Sequence, residues 1–582
     1  MPDVPSFAVD DGFWYSIPPH LADDVAIGSL VRAPLSGRRV RGWVVEIGDG
    51  PERALKEIAG VSGAAPVFDG DQLRSLLWMA SHYVAPVPVL LSKATPPNLP
   101  KPARAPTSAA NPVRSDHPLS EVAAVAARGG KIPVQAIVAA WQGGDWVSAL
   151  APVVDSGRSV VVVAATAAEV AEIARWGRDV LGDVVLEVSG EDNAALTEAW
   201  SAAQVPGRLV VGTPRVAVWR VSALAMTVVL EEGRRAMKER QTPTLHVREV
   251  VHTRSRLEGF IPVFMGPTPS VEILSAGAQV REVASRVWGL VEVVDRSADP
   301  PGSGFLSDRV IAALKATAQR GDRSFVFTHR RSGAASMRCV NCRAIRSCAR
   351  CGAFVGRVEE CPRCGADLGP CSRCGASEFE EMGTVPQRLV SEINRSLGKG
   401  AAAVHPADSP VTVGTERDLA GLAAVTLAVA ADADGMLMGS GHRTSEEALR
   451  QLARVAGAVR RERGSRMMVQ TSHPGSDLVQ ALRRGDPIPY LEQVLAVRAA
   501  EGMPPSTEMV AVELRGKVPD GADADLGSLS DAGVLGPVPV DEGKRWLLTG
   551  DLRMARRELR GLVGRWREDG ATVRVDADPI DL

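Results

Sequence analysis

Eight cysteines make up the chain's whole complement, and all of them fall between Cys339 and Cys374. They come as four Cys-x-x-Cys pairs: Cys339/Cys342, Cys348/Cys351, Cys361/Cys364 and Cys371/Cys374. Two thiolates at this spacing can turn toward one ion in a tight knuckle, and two knuckles complete a tetrahedral zinc site. Gly352, Gly365 and Gly375 follow three of the pairs and permit the positive φ that such turns use. A disulfide framework is disfavoured, because no thiol lies outside the cluster and the chain reads as cytoplasmic. A redox dithiol would need one such pair, not four. The cluster is therefore expected to hold two zinc ions, each on four thiolates. Residues 338–374 carry seven Arg against three acidic side chains. With eight thiolates and two zinc ions the element is neutral, which suits protein contacts at least as well as phosphate.

The elements that must carry this cluster follow from pattern. At 582 residues the chain exceeds one hydrophobic core and should divide into roughly three to five domains. Its 45% hydrophobic and 23% charged content is that of a soluble protein, and a net charge of −2 excludes a uniformly basic surface while allowing local grooves. No apolar run approaches the ~20 residues of a membrane span, and no secretion signal opens the chain. Leu30–Pro34 and Val40–Ile47 read as strands around the turn Ser36-Gly37-Arg38, suggesting a small β-barrel. Residues 69–93 take helical spacing, with Leu73, Leu76, Leu77, Ala80 and Tyr83 on one side, and 95–118 have linker composition. Val160–Val163, Leu209–Val211 and Thr227–Leu230 suit buried parallel strands of an α/β layer fold. A second such block, with strands near Ser324–Phe327, Thr412–Val413 and Val425–Ala430, is interrupted by the cysteines. The tail from 476 reads as α+β, with strands near Met509–Leu514, Arg545–Leu548 and Thr572–Val575.

In this setting the chain resembles the PriA family of primosomal replication-restart proteins. Gly266-Pro267-Thr268-Pro269-Ser270-Val271-Glu272 is similar to the family's GSATPSLE segment, and Thr328-His329-Arg330-Arg331-Ser332-Gly333 to its NRRGY segment. Gly414-Thr415-Glu416 stands where the family has GTQ, and Ala431-Asp432-Ala433-Asp434-Gly435 resembles its DADG segment. Arg443–Arg461 lies at the place of QVAGRAGR, and Val534–Pro537 and Arg574–Pro579 resemble the C-terminal domain. The resemblance implies a multidomain α/β fold: an N-terminal DNA-binding domain with its following helix (1–105), a linker or reduced winged-helix region (106–139), helicase lobe 1 (140–275), lobe 2 (276–337 and 376–475), a zinc insertion (338–375) and a C-terminal domain (476–582). It implies nested zinc pairing, with Cys339, Cys342, Cys371 and Cys374 on one ion and Cys348, Cys351, Cys361 and Cys364 on the other. It further implies a monomer that binds branched or forked DNA, single-stranded-DNA-binding protein, primosome proteins and the replicative helicase. For the 3′ end of a strand, the matching positions are Phe13, Gly37 and Lys56, whose chemistry suits stacking, close backbone approach and a phosphate contact. Trp14 replaces the family's acidic residue. Trp78 and Tyr83 are candidate contacts for the tail of single-stranded-DNA-binding protein, although their spacing equally suits a buried helix face.

The family's motor needs ATP, and here the sequence departs. No G-x-x-x-x-G-K-[ST] loop exists in the chain. Trp141-Gln142-Gly143-Gly144-Asp145-Trp146-Val147 stands in its place, Leu230-Glu231-Glu232-Gly233 replaces DEEH, and Ala458 occupies the first arginine-finger position. These losses lead to the expectation of a chain that is not an enzyme and takes neither ATP nor Mg²⁺. Two alternatives are an ATP-dependent 3′-to-5′ helicase with an atypical nucleotide site, and a zinc-ribbon interaction scaffold with no DNA role.

Overall fold

The computed structural model describes the chain except residues 64, 104, 106–114, 283–285, 301–302, 330–336, 343, 345, 351–354, 357, 362–364, 382–384, 439–440, 541 and 581–582. Strands β1 (Leu30–Leu35) and β2 (Arg38–Trp43) meet at the turn the sequence marks, because Ser36 and Gly37 both take positive φ (47° and 78°). Such turns match the right-handed twist of a hairpin. β3 (Gly60–Ser62) pairs along the other side of β1. The result is a small three-stranded sheet with two single-residue bridges, Pro2 to Gly42 and Ser16 to Glu57, in place of the expected barrel. Closure takes more strands than this segment supplies. The single helix expected over 69–93 is two, Gly70–His82 and Val87–Ala94. Val84 at φ 49° and Pro86 end the first and start the second.

The seven strands β4 (Gln135–Val138), β5 (Ser159–Val163), β6 (Val185–Val188), β7 (Leu209–Gly212), β8 (Leu224–Leu230), β9 (Ile261–Gly266) and β10 (Gln279–Glu282) form one parallel sheet, in the order β10-β4-β9-β8-β5-β7-β6. Every residue of β5 is buried, as a strand covered on both faces requires. The segment read as linker or winged helix contributes β4, and its helix Leu119–Ala127 buries Leu119, Val122, Ala123 and Ala126 in the core of this sheet.

The second sheet opens with β11 (Val291–Asp295) and β12 (Ser324–Phe327). The chain then leaves through the antiparallel pair β13 (Met337–Cys339) and β14 (Phe379–Glu381) and returns as β15 (Ala402–Val404), β16 (Val411–Gly414), β17 (Leu427–Ala430) and β18 (Arg466–Thr471). The order is β11-β18-β17-β12-β16-β15, all parallel.

The tail is a four-stranded antiparallel sheet, β20 (Ala532–Val540), β21 (Gly543–Gly550), β19 (Glu508–Gly516) and β22 (Ala571–Ala577) in spatial order. Strand alternation divides its faces. Val510, Val512, Leu514, Val573 and Val575 join the core with helix Arg553–Glu568, which buries Ala555, Leu559, Val563 and Trp566 at helical spacing. Among the described residues no helix is long and apolar enough to cross a membrane.

Candidate nucleic-acid interface and metal centre

The N-terminal sheet forms one side of a cavity of about 360 Å³. Val31, Ala33 and Val40 line it from the strands, and Phe13, Trp14 and Tyr15 from the segment before them. Phe13 and Trp14 stay 46% and 37% exposed, so two aromatic faces remain open to a planar guest. The Tyr15 hydroxyl is anchored by donating to the Pro34 carbonyl at 3.1 Å. Asp11, Glu46 and Asp49 also line the cavity. Their charge disfavours a phosphate inside and suits a neutral base and hydroxyl. Of the three expected end-binding residues only Phe13 lines this space. Gly37 is exposed at the tip of the β1–β2 turn, and a Cβ there would meet nothing within 4 Å. Lys56 is exposed, and its carbonyl accepts from the Ser16 amide at 3.0 Å, which places it beside the aromatic segment.

Trp78 and Tyr83 lie at the end of helix Gly70–His82. Tyr83 is fully buried and its hydroxyl accepts from the His246 amide at 3.1 Å, so it ties the N-terminal region to the first sheet and is closed to a partner. Trp78 is half-buried and stacks on His82 with centroids 4.7 Å apart. His82 Nε2 lies 2.8 Å from Asp578, near the C-terminus. Tyr83→Phe leaves the His246 amide without its acceptor. The expected cost is about 1–2 kcal/mol in urea unfolding, and a change under a few tenths would contradict this role.

Between the two large sheets lies the region where a motor would hold nucleotide. The Trp141–Val147 loop is closed by its own indoles: Trp146 is buried and its Nε1 donates to the Trp141 carbonyl at 2.8 Å. Gly144, at φ 74°, sits under Trp176, where a Cβ would come within 2.4 Å of the ring. Beside this loop a buried ion network crosses from one sheet to the other. Arg454 reaches Glu231 at 2.9 Å, Glu416 at 2.8 Å and Glu169 at 3.5 Å. Arg234 holds Glu169 at 2.6 Å, and Arg450 holds Glu416 at 2.7 Å and Glu447 at 2.5 Å. Burial would raise the pKa of Glu416, but Arg450 and Arg454 hold it well below the usual carboxylate range. Glu272, in the short helix Val271–Ser275 between β9 and β10, is treated likewise: burial opposes its charge, and Arg248, Arg443 and Arg498 outweigh burial. Glu231, Glu272 and Glu416 appeared in the sequence only as motif positions, and their ion pairing escaped that reading. Two signals were present: Thr166-x-x-Glu169, which forms a capping box, and Arg450 and Arg454 one turn apart on an otherwise apolar helix face.

The β13–β14 stem carries the cysteine element. Sulfurs of Cys339, Cys342, Cys371 and Cys374 all lie within 4.8 Å of one another, so these four could hold one metal ion. The 371–376 turn closes through Cys371 N–H to Ala376 O and Gly375 N–H to Cys371 O, with Gly375 at φ 73°. The 361–366 turn repeats it, with Cys361 N–H to Ala366 O, Gly365 N–H to Cys361 O and Gly365 at φ 66°. Cys348 and Cys361 are buried together with Val355 in a small separate cluster. Cys351 and Cys364 lie outside the described residues. The Ala376 amide is the leading cause that lowers Cys374 to about 6. Cys342 is pushed up to about 12 despite the Ala344 amide, because desolvation and the three neighbouring sulfurs oppose another negative charge. Four thiolates therefore fit this space only around a cation, which is what a tetrathiolate zinc site supplies. Arg346 is structural: it donates to the Gly356, Val358 and Leu368 carbonyls and sits 4.8 Å from the Phe379 ring centroid.

Residues 3–96, which contain the aromatic cavity, match the family model of the PriA 3′DNA-binding domain. The likeness continues through the rest of the chain. The probable replication restart protein PriA of Mycobacterium bovis is 25% identical, over 92% of this chain and 90% of its own. The chain is similar to PriA proteins over most of its length. The replication restart protein PriA of Treponema pallidum is 24% identical over 88% of this chain and 86% of its own. Among solved structures, the DUF1998 helicase MrfA bound to DNA is 13% identical with a TM-score of 0.36, covering 65% of this chain and 48% of that one. The likeness corrects the expectation that this chain is not an enzyme. It aligns with PriA proteins over 92% of its length, through both large sheets, so nothing in the likeness sets it apart from that group.

Proposed function

We propose that this PriA relative recognises abandoned or branched replication forks, seats the 3′ end of a strand in the N-terminal cavity, and helps reload the replicative helicase. The observation that carries the reading is the position of that cavity inside the segment matching a 3′DNA-binding domain. Phe13 and Trp14 offer stacking surfaces, and the acidic lining favours a terminal hydroxyl over a terminal phosphate. Lys56 stands at the rim to meet a backbone phosphate, and the open backbone at Gly37 admits close approach. Half-buried Trp78 is the position left for the tail of single-stranded-DNA-binding protein. The cysteine element carries two zinc ions in nested pairs and presents a rigid knob to primosome proteins.

The test is affinity for a fork whose leading strand ends in a 3′-hydroxyl, against the same fork ending in a 3′-phosphate. The protein should prefer the hydroxyl. Phe13→Ala should remove about 1–3 kcal/mol of binding together with that preference. Lys56→Ala should weaken both forks alike and reduce the salt slope by about one. Equal affinity of the parent protein for both forks, or full fork binding after deletion of residues 1–105, would sink the reading.

A further inference from the structure

A larger cavity, of about 670 Å³, lies between the C-terminal sheet and a loop of the first large sheet, well apart from the aromatic one. Its cationic lining is Arg235, Lys238, Arg240, Arg515, Arg545 and Arg574. Strand register explains half of this. Ala511, Glu513 and Arg515 alternate with the core residues Val510, Val512 and Leu514 of β19, and Glu513 pairs across with Arg545 on β21 and Arg574 on β22. The loop side is pinned by Lys238, whose ammonium donates to the Ala577 and Asp578 carbonyls at 2.5 and 2.6 Å and meets Asp576 at 2.7 Å.

Three carboxylates share the cavity, and each already has a cation. Glu513 accepts from Arg515 at 2.5 Å and Arg545 at 2.7 Å, Asp576 lies between Lys238 and Arg574, and Glu239 is held at 2.6 Å by Lys93 from outside the lining. The balance is a positive surplus in a concave, water-accessible space. Arg240 is exposed and has no carboxylate partner among the described residues, and Arg574 Nε is buried without a hydrogen bond. None of the described lining residues is aromatic, so the space offers nothing for a base to stack on. The apolar lining is Ala511 and Ile580, which is too little to anchor a peptide side chain.

We infer that this cavity binds a chain of consecutive phosphates, by charge and guanidinium hydrogen bonds and without reading bases. That chemistry comes either from the backbone of a single nucleic-acid strand, in which case the inference extends the function proposed above, or from a free oligophosphate. The experiment uses the full-length protein, Arg240→Ala, and Arg240→Ala/Arg574→Ala. One probe is a single-stranded oligothymidylate with a 3′-phosphate, which keeps it out of the aromatic cavity; the other is inorganic tripolyphosphate. The double variant should bind about tenfold more weakly, with the oligonucleotide's salt slope reduced by about 1.4 for two lost contacts. Arg240→Ala should account for about half of that slope, and it is exposed enough to leave the melting temperature unchanged. Loss for the oligonucleotide alone assigns the site to a nucleic-acid strand, and loss for tripolyphosphate alone to a free oligophosphate. Loss for both supports phosphate chains from either source. Unchanged affinity and slope in both variants, or a parent protein that binds neither probe, overturns the inference. Failure of the parent to bind forks would instead remove the functional reading and leave the tripolyphosphate result to decide the cavity.

Discussion

Replacing Arg454 with methionine is expected to destabilise the protein by about 3–5 kcal/mol at pH 7. The guanidinium touches three carboxylates, Glu169, Glu231 and Glu416, and is itself 2% exposed. Methionine fills much of the volume but leaves those carboxylates to Arg234 and Arg450 in a site with little access to water. The cost should depend on pH with a defined sign. In the parent protein Glu416 is held below its unfolded pKa, so its contribution is present above that unfolded value and is lost as pH falls through the lower folded one. In the variant Glu416 loses one of the three arginines that depress it, so its folded pKa rises. The variant then recovers part of its deficit once pH falls through that raised pKa, because protonation removes the uncompensated charge. Urea unfolding of both proteins at pH 7 and at successively lower pH measures this. A deficit below about 1 kcal/mol, or one that does not shrink on acidification, would show that water reaches the network and screens it.

Loss of metal should have a comparably large effect confined to the cysteine element. Zinc in small tetrathiolate and related sites is worth about 10–16 kcal/mol of apparent binding energy, and elements of this size have little else to order them. Cys371→Ser should lower the zinc content from two ions per chain to one, release the knuckle that Cys371 shares with Ala376, and leave the Cys348/Cys361 cluster in place. Cys348→Ser should remove the other ion. Metal analysis with limited proteolysis reads both. One zinc per chain in the parent protein, or both ions lost from Cys371→Ser, would defeat the nested pairing. The large sheets should keep their unfolding transition in both variants, because β13 and β14 are joined to them only as a stem and form a sheet of their own.

The strands of the two large sheets were legible because a strand buried on both faces has to be continuously apolar, as Val160–Val163 and Leu427–Ala430 are. The C-terminal strands were legible by alternation. Helix Gly70–His82 was found but run too far, since a positive φ at Val84 has no local signal. The N-terminal barrel was an over-extension, because strand pairing depends on partners that a pattern of alternating residues does not name.

The cysteine spacing by itself pointed to sulfurs that could hold a metal ion, because ligand chemistry is local and two residues between thiols suffice to build a knuckle. The order of motifs likewise carried the likeness to PriA proteins. What the tertiary structure alone decided is where charge collects. Arg454 and Glu169 are 285 positions apart, and Lys238 and Asp576 338 apart, yet each pair meets in a buried or half-buried contact. The ion-filled cleft between the two large sheets and the basic cavity under the C-terminal sheet both arise from such meetings. Charge is long-ranged and its energy depends on burial, and neither separation in space nor exclusion of water is encoded at any one position of the sequence.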